Sequence, residues 1–241
     1  MRPVTRAKVL GLVTLLVLGA MGFEARASES LLVYYPTTLP VKSRQDVLKT
    51  ESGGADVTVF AKFRDFADQV KAVSPAMVIA PSNFGTSNPD YKPVLRFFES
   101  NSGKFKYLVL ALSQALKDVK MARLGLVEET EREILRDFID GVIGSNVKAF
   151  KTVSKPEDLF PLLVFKSVDM ILVSPSNYER LQKQFSSKVF KILESKPVDG
   201  ITVFSRTGKD AASIAGGLEK LSAAALKDLG FSKIEKLGGG Q

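Results

Sequence analysis

Two segments decide the fold: MVIAPSNF at 77–84 and MILVSPSNY at 170–178. Each is an apolar run that ends in Pro-Ser-Asn followed by an aromatic residue. Their serines, Ser82 and Ser176, stand 94 positions apart. A short apolar run stopped by turn formers reads as a buried strand entering a tight junction. The same junction used twice predicts two similar halves, each closed by its third strand.

Working outward from the first echo, LLVYYP (31–36) and ADVTVF (55–60) read as strands. KSRQDVLKTESGG (42–54) and AKFRDFADQVKAV (61–73) read as helices, the latter with Phe63, Phe66, Val70 and Val73 on one face. Before the second echo, MARLGLV (121–127) and VKAFKTV (147–153) are strands and ETEREILRDFIDGVIG (129–144) is a helix. KPEDLFPLLVFKSV (155–168) is a helical stretch kinked at Pro161, and SNYERLQKQF (176–185) is a helix. Strands that alternate with helices of this length predict an α/β protein with parallel pairing.

Between the halves, VLRFFES (94–100) and KYLVLALS (106–113) suit a hairpin across NSG. After the second half come the strands KVFKILES (188–195) and ITVFSR (201–206). One long helix over 209–230, capped by Gly230, closes the fold. The chain after Leu237 reads as weakly ordered. If the terminal helix packs on the first half, the backbone crosses twice, near 111–118 and 194–200.

The first 27 residues read as a leader. Arg2, Arg6 and Lys8 precede the apolar run 9–23, and Ala25-Arg26-Ala27 supplies a small-x-small cleavage pattern. The run falls short of the ~20 residues of a spanning helix. The expectation is a cleaved, exported protein, periplasmic in a Gram-negative source.

The 241 residues contain no Cys and no His. That excludes disulfides, a Cys nucleophile, a His base and the usual nitrogen and sulfur zinc site. An enzyme would need Lys, Ser or carboxylate chemistry, and no Ser-x-x-Lys pair stands at a helix start in a glycine-rich context. No enzyme activity and no cofactor are expected. The chain holds 34 basic and 26 acidic residues; the leader takes four and one of them, leaving 30 against 25. The basic residues are scattered rather than clustered with aromatics, so nucleic acid is not an expected partner.

In its order of elements the chain resembles the type 2 periplasmic solute-binding proteins, especially the phosphonate-type branch that serves ABC transporters. The segments that carry the likeness are LLVYYPTT, PAMVIAPSNF, KDVKMARLGLVEE, SVDMILVSPSNYERL and AALKDLGF. The resemblance implies two lobes, each a mostly parallel sheet flanked by helices, joined by two crossover segments. Lobe one would hold 28–112 and 195–241, and lobe two 113–194. It also implies a monomer that binds a small molecule in the cleft and delivers it to an inner-membrane ABC permease. A binding-fold sensor or accessory protein is the alternative.

The cleft lining that the resemblance implies is Tyr35, Thr37 and Thr38 after the first strand, and Ser82 and Asn83 after the third. Lobe two adds Glu128 to Thr130, and Ser176 with Asn177. Tyr34 and Tyr35 point to opposite faces, one toward the core and one toward the cleft. Thr130/Glu133, Ser154/Glu157, Ser176/Glu179 and Thr207/Asp210 fit the capping-box spacing, which gives Thr130 and Ser176 a structural role as well. Ser82 has Gly85 at that spacing, so Ser82-Asn83 is the pair expected to touch a ligand. Phosphonate binders of this family commonly carry a Ser/Thr-rich turn where this chain has LVEETERE (126–133). Its carboxylates repel an anion. An uncharged or cationic ligand is therefore expected if Glu128 or Glu129 faces the cleft, and none if they face water.

Overall fold

The computed structural model describes residues 30–99, 104–112, 118–184 and 189–238, with Phe105 described by its backbone alone. The expected leader, 1–27, lies outside the described residues.

The chain runs β1 (Ser30–Val33), α1 (Val41–Glu51), β2 (Asp56–Val59), α2 (Phe63–Val73), β3 (Met77–Pro81), α3 (Phe84–Ser87) and β4 (Tyr91–Phe98). It continues through β5 (Lys104–Phe105), β6 (Leu108–Ala111), β7 (Arg123–Val127), α4 (Arg132–Ile143), β8 (Ala149–Val153) and α5 (Leu159–Val164). Then come β9 (Met170–Val173), α6 (Pro175–Gln184), β10 (Phe190–Glu194) and β11 (Val198–Asp199). The last elements are β12 (Ile201–Arg206), α7 (Ala212–Glu219), α8 (Ala223–Leu229) and β13 (Lys233–Lys236).

Two sheets result. The first has the order β13-β4-β12-β3-β1-β2 and the second β10-β6-β9-β7-β8. In each, three strands are parallel, and antiparallel strands extend the sheet on one side. The two echoes occupy equivalent places. β3 lies between β1 and the antiparallel β12, as β9 lies between β7 and the antiparallel β6.

Both sheets are covered on both faces at their centres, which is why β1, β3, β7 and β9 are apolar runs, whereas the edge strands β2, β8 and β13 are half-polar. Leu31, Val33, Met77 and Ile79 pack with residues of α7 and α8, whereas Leu32, Val78 and Ala80 pack with Phe63, Phe66 and Val70 of α2. In the second sheet Leu124, Leu126, Met170 and Leu172 meet α4, and Ile171 and Val173 meet α5 and α6. Gly125 leaves room on the α5 face, since a Cβ there would press on Val168 and Ile171 at 3.2 Å.

Several expectations are corrected. VLRFFES and KYLVLALS do not pair as a hairpin: β4 ladders with β12 and β13, and β6 with β9 and β10. The first crossing therefore precedes β6, so Leu108–Ala111 belongs to the second sheet and not to the first lobe. The chain returns from the second sheet to the first between β10 and β12. Both crossings pair with each other through the short antiparallel ladder β5–β11, a two-stranded link between the sheets.

The long terminal helix is two helices. Ser222 starts α8 by accepting a hydrogen bond from the Ala225 N–H at 3.1 Å, and Gly230 ends it at φ +89°. Ile234 and its neighbours in the tail form the edge strand β13 on β4. None of the four capping boxes forms. α4 starts one residue late, from Glu131, and α7 is preceded by Ala211. The 3-10 turn at Pro156 follows Lys155, and Pro175 fixes the first turn of α6 so that Ser174 takes the cap position.

Candidate functional site

The cleft is built where parallel strands end. The β1–α1 turn meets the N-terminus of α6 and the β7–α4 turn, the position at which open α/β sheets take ligands. The Tyr34 hydroxyl crosses the cleft and donates to the Glu128 carbonyl at 2.6 Å. Asn177 makes two bonds: its Oδ1 accepts from the Thr38 N–H at 3.3 Å, and its Nδ2 donates to the Pro36 carbonyl at 3.0 Å. Arg180 donates to the Thr37 hydroxyl at 3.1 Å. Lys71 pairs with Glu131 at 2.9 Å, an exposed contact of small energetic weight.

Asn177 is 3% exposed, so its loss leaves the Thr38 N–H and the Pro36 carbonyl without partners. Asn177→Ala is expected to weaken closure by about 1–3 kcal/mol. Small-angle scattering should show a larger radius of gyration than wild type. An unchanged radius together with an unchanged melting temperature would contradict this role.

Behind these contacts lies a cavity lined by Tyr35, Thr37, Glu99, Tyr107, Glu129, Ser174, Ser176, Arg180 and Phe231, among others. The space open to the centre of a water molecule is about 20 Å³, enough for one or two waters. Two carboxyl groups face it. Glu129 is 6% exposed, and the Tyr107 hydroxyl donates to it at 2.5 Å. Burial pushes the Glu129 carboxyl up to about 7; Tyr107's hydrogen bond opposes the rise and Glu99 adds to it. Burial also raises Glu99, against hydrogen bonding from Ser176 and the charge of Arg180. The Oε2 of Glu99 is buried without a partner. The hydroxyls of Tyr34 and Tyr107 are pushed above their ordinary range by burial first and by Glu129 next.

Of the residues expected from sequence, Tyr35, Thr37 and Ser176 line this cavity, and Thr38 and Asn177 bridge the lobes beside it. The two tyrosines take opposite faces of the sheet, but both are buried. Tyr34 stacks on Phe66, while Tyr35 packs on Phe231 and its hydroxyl donates to the Leu229 carbonyl at 2.8 Å. Ser82 and Asn83 lie elsewhere. The Ser82 hydroxyl donates to the Asp199 carbonyl at 3.2 Å, in a groove shared with Tyr91, Lys92 and Arg96. Asn83 heads α3 with its amide atoms buried and unpartnered. The Glu128 side chain lines a groove formed within the second lobe, and Thr130 is 1% exposed away from the cavity.

Sequence reasoning missed Glu99, Tyr107 and Arg180. Only Glu129 had a local sign, the acidic run 128–131. Among the described residues no group of three or more acidic side chains could hold a metal ion, and no helix is long and apolar enough to cross a membrane.

No protein-family model and no curated protein sequence matches the chain. Solved structures do. PhnD1 from Prochlorococcus marinus in complex with methylphosphonate superposes with a TM-score of 0.64 at 10% identity, over 87% of this chain and 93% of that one. XAC2383 from Xanthomonas citri bound to ATP gives 0.61 at 14% identity, over 88% and 92%. A binding protein component of an ABC phosphonate transporter from Pseudomonas aeruginosa gives 0.60 at 10%, over 87% and 82%. Two sheets flanked by helices, joined by two paired crossings and superposing on these proteins over most of their length, make this the two-lobed periplasmic-binding-protein fold.

Proposed function

We propose that the protein is an exported solute-binding protein that holds a small molecule between its lobes and passes it to an inner-membrane ABC permease. The observation that carries the reading is the interlobe cavity faced by the buried Glu129 and the half-buried Glu99, whose Oε2 is buried without a partner. Binding sites gather a few such groups in an otherwise apolar cleft. Lobe opening at the β5–β11 link would admit the solute, and closure would sequester it. Glu99 and Glu129 favour an uncharged hydrogen-bond donor or a cation over an anion. The ordinary chemistry of the lining is binding rather than catalysis, and the periplasm is the compartment that suits it.

A second reading, a sensor or accessory protein with this fold and no solute, is favoured by one observation. The lobes already touch directly, and the cavity at Glu99 and Glu129 leaves room for little more than water.

A thermal-shift panel of small amines, polyols and organic anions separates the two. One amine or uncharged compound is expected to raise the melting temperature by several degrees at saturation. A flat panel favours the accessory reading. Stabilisation by anions alone contradicts the carboxyl-lined site.

A further inference from the structure

Among the described residues four large apolar side chains stand exposed: Val73, Met121, Val164 and Phe165. Three of the four belong to one end of the second lobe. Met121 precedes β7, and Val164 and Phe165 close α5 just before β9. They therefore sit where two parallel strands begin, at the end opposite the cleft. Arg123 ties the two segments together, its Nη2 donating to the Lys166 carbonyl at 3.1 Å. Phe165 is 79% exposed and Met121 66%. A single exposed aliphatic residue needs no explanation, but an aromatic ring grouped with other exposed apolar side chains marks a contact surface.

The turn that presents Phe165 is well fixed. The Lys166 N–H donates to the Leu163 carbonyl at 3.0 Å, and the Ser167 N–H to the Leu162 carbonyl at 2.9 Å. This is the bond pair of a Schellman helix end, and Lys166 takes its left-handed position at φ +54°, where glycine is the usual residue. The chain thus accepts backbone strain and sets a cation beside the exposed ring.

Further cations surround this end. Lys120, Lys148, Lys166 and Lys183 are all exposed. The Lys148 N–H donates to the Ala122 carbonyl at 3.1 Å, next to Met121, and α6 runs back along the α5 face to bring Lys183 to the same end. The nearby acids offset little of this charge. Asp169 pairs with Arg123 at 2.7 Å, and Asp118 accepts the Lys120 N–H at 2.9 Å. Asp140 belongs to α4, which packs on the other face of the sheet.

We propose that this end of the second lobe docks reversibly on a lipid surface rich in anionic phospholipid. Phe165, with Val164 and Met121, would enter the boundary between headgroups and acyl chains, where an aromatic ring is well accommodated. The four lysines would meet the headgroup charge. Charge complementarity is what favours lipid as the occupant. Because the contact is opposite the cleft, it leaves the cleft free, and the proposal stands independently of the solute proposed there.

Co-sedimentation with lipid vesicles tests it, using protein recovered from the exported fraction without residues 1–27. The vesicles contain phosphatidylglycerol and phosphatidylcholine in equal parts, or phosphatidylcholine alone. The expected result is binding to the anionic vesicles that weakens as salt is raised, with far less binding to the neutral ones. Phe165→Ser should weaken binding about tenfold and leave the melting temperature unchanged, since the ring is exposed. Lys148→Gln and Lys166→Gln should each weaken it about fivefold. Lys166→Gly should separate the two readouts: it melts no lower than wild type, because glycine relieves the strain, yet binds anionic vesicles less. Absence of binding, equal binding to both vesicle types, or an affinity unchanged in Phe165→Ser overturns the proposal. So does a concentration-dependent dimer that Phe165→Ser dissolves, since a second copy would then be what covers this face.

Discussion

Glu129→Gln is expected to melt higher than wild type at pH 8 and to lose that advantage at acid pH. Burial holds a proton on Glu129 to about pH 7, against an ordinary value of 4.5. Between those values the closed protein binds a proton that the unfolded chain has released. The stabilisation from this proton is complete below about pH 4.5 and is lost as pH rises through about 7. At about 1.4 kcal/mol per unit, the ionised group costs the closed state about 3 kcal/mol at pH 8. The substituted amide would carry no such cost and would keep an acceptor for the Tyr107 hydroxyl. At 2–4 °C per kcal/mol for a protein of this size, the gain is roughly 6–12 °C. Where opening the lobes costs less than ionising Glu129, part of the difference will appear as opening at alkaline pH. Melting curves of the two proteins from pH 5 to 8 check this, and curves that stay parallel contradict it.

Phe66→Ala is expected to lower stability by about 3–5 kcal/mol. Phe66 is fully buried on α2, at the centre of an aromatic group containing Tyr34, Phe60, Phe63 and Phe84. The loss also reaches the cleft, because the Tyr34 ring that stacks on Phe66 carries the hydroxyl bound to the Glu128 carbonyl. Urea denaturation should show a lower midpoint at an unchanged slope. A change below about 1 kcal/mol would place the support of Tyr34 elsewhere.

What is legible in the sequence is what the chain discloses locally. Apolar runs such as MVIA and MILV, bounded by turn residues, mark buried strands, and the alternation with helices marks parallel order. The echoed Pro-Ser-Asn junctions do occupy equivalent positions in two sheets. Pairing between distant strands leaves no such local mark. VLRFFES and KYLVLALS look like hairpin partners because they are close in sequence, yet their ladders run to β12, β13, β9 and β10. That misreading also hid Glu99, which follows β4 and reaches the cavity only because the chain crosses lobes there. Arg44 was invisible for a related reason. It sits in a polar helix, α1, yet is 2% exposed with its guanidinium over the Tyr35 ring. Ser82 and Ser176 share a motif and a topological place, but the return crossing covers Ser82 through Asp199, so the chemistry at the two junctions differs.

The most direct test is calorimetric titration of the purified protein with the amine or uncharged compound that stabilises it most in the thermal-shift panel. Titrations near pH 6.5, in two buffers of different ionisation enthalpy, report protons as well as affinity. A solute held by Glu99 and Glu129 should bind about tenfold or more weakly to Glu129→Gln. A cationic solute should also release up to one proton, since it favours the ionised carboxylate. Absence of binding, or binding that is equal in the variant, would contradict a solute site between the lobes at Glu129.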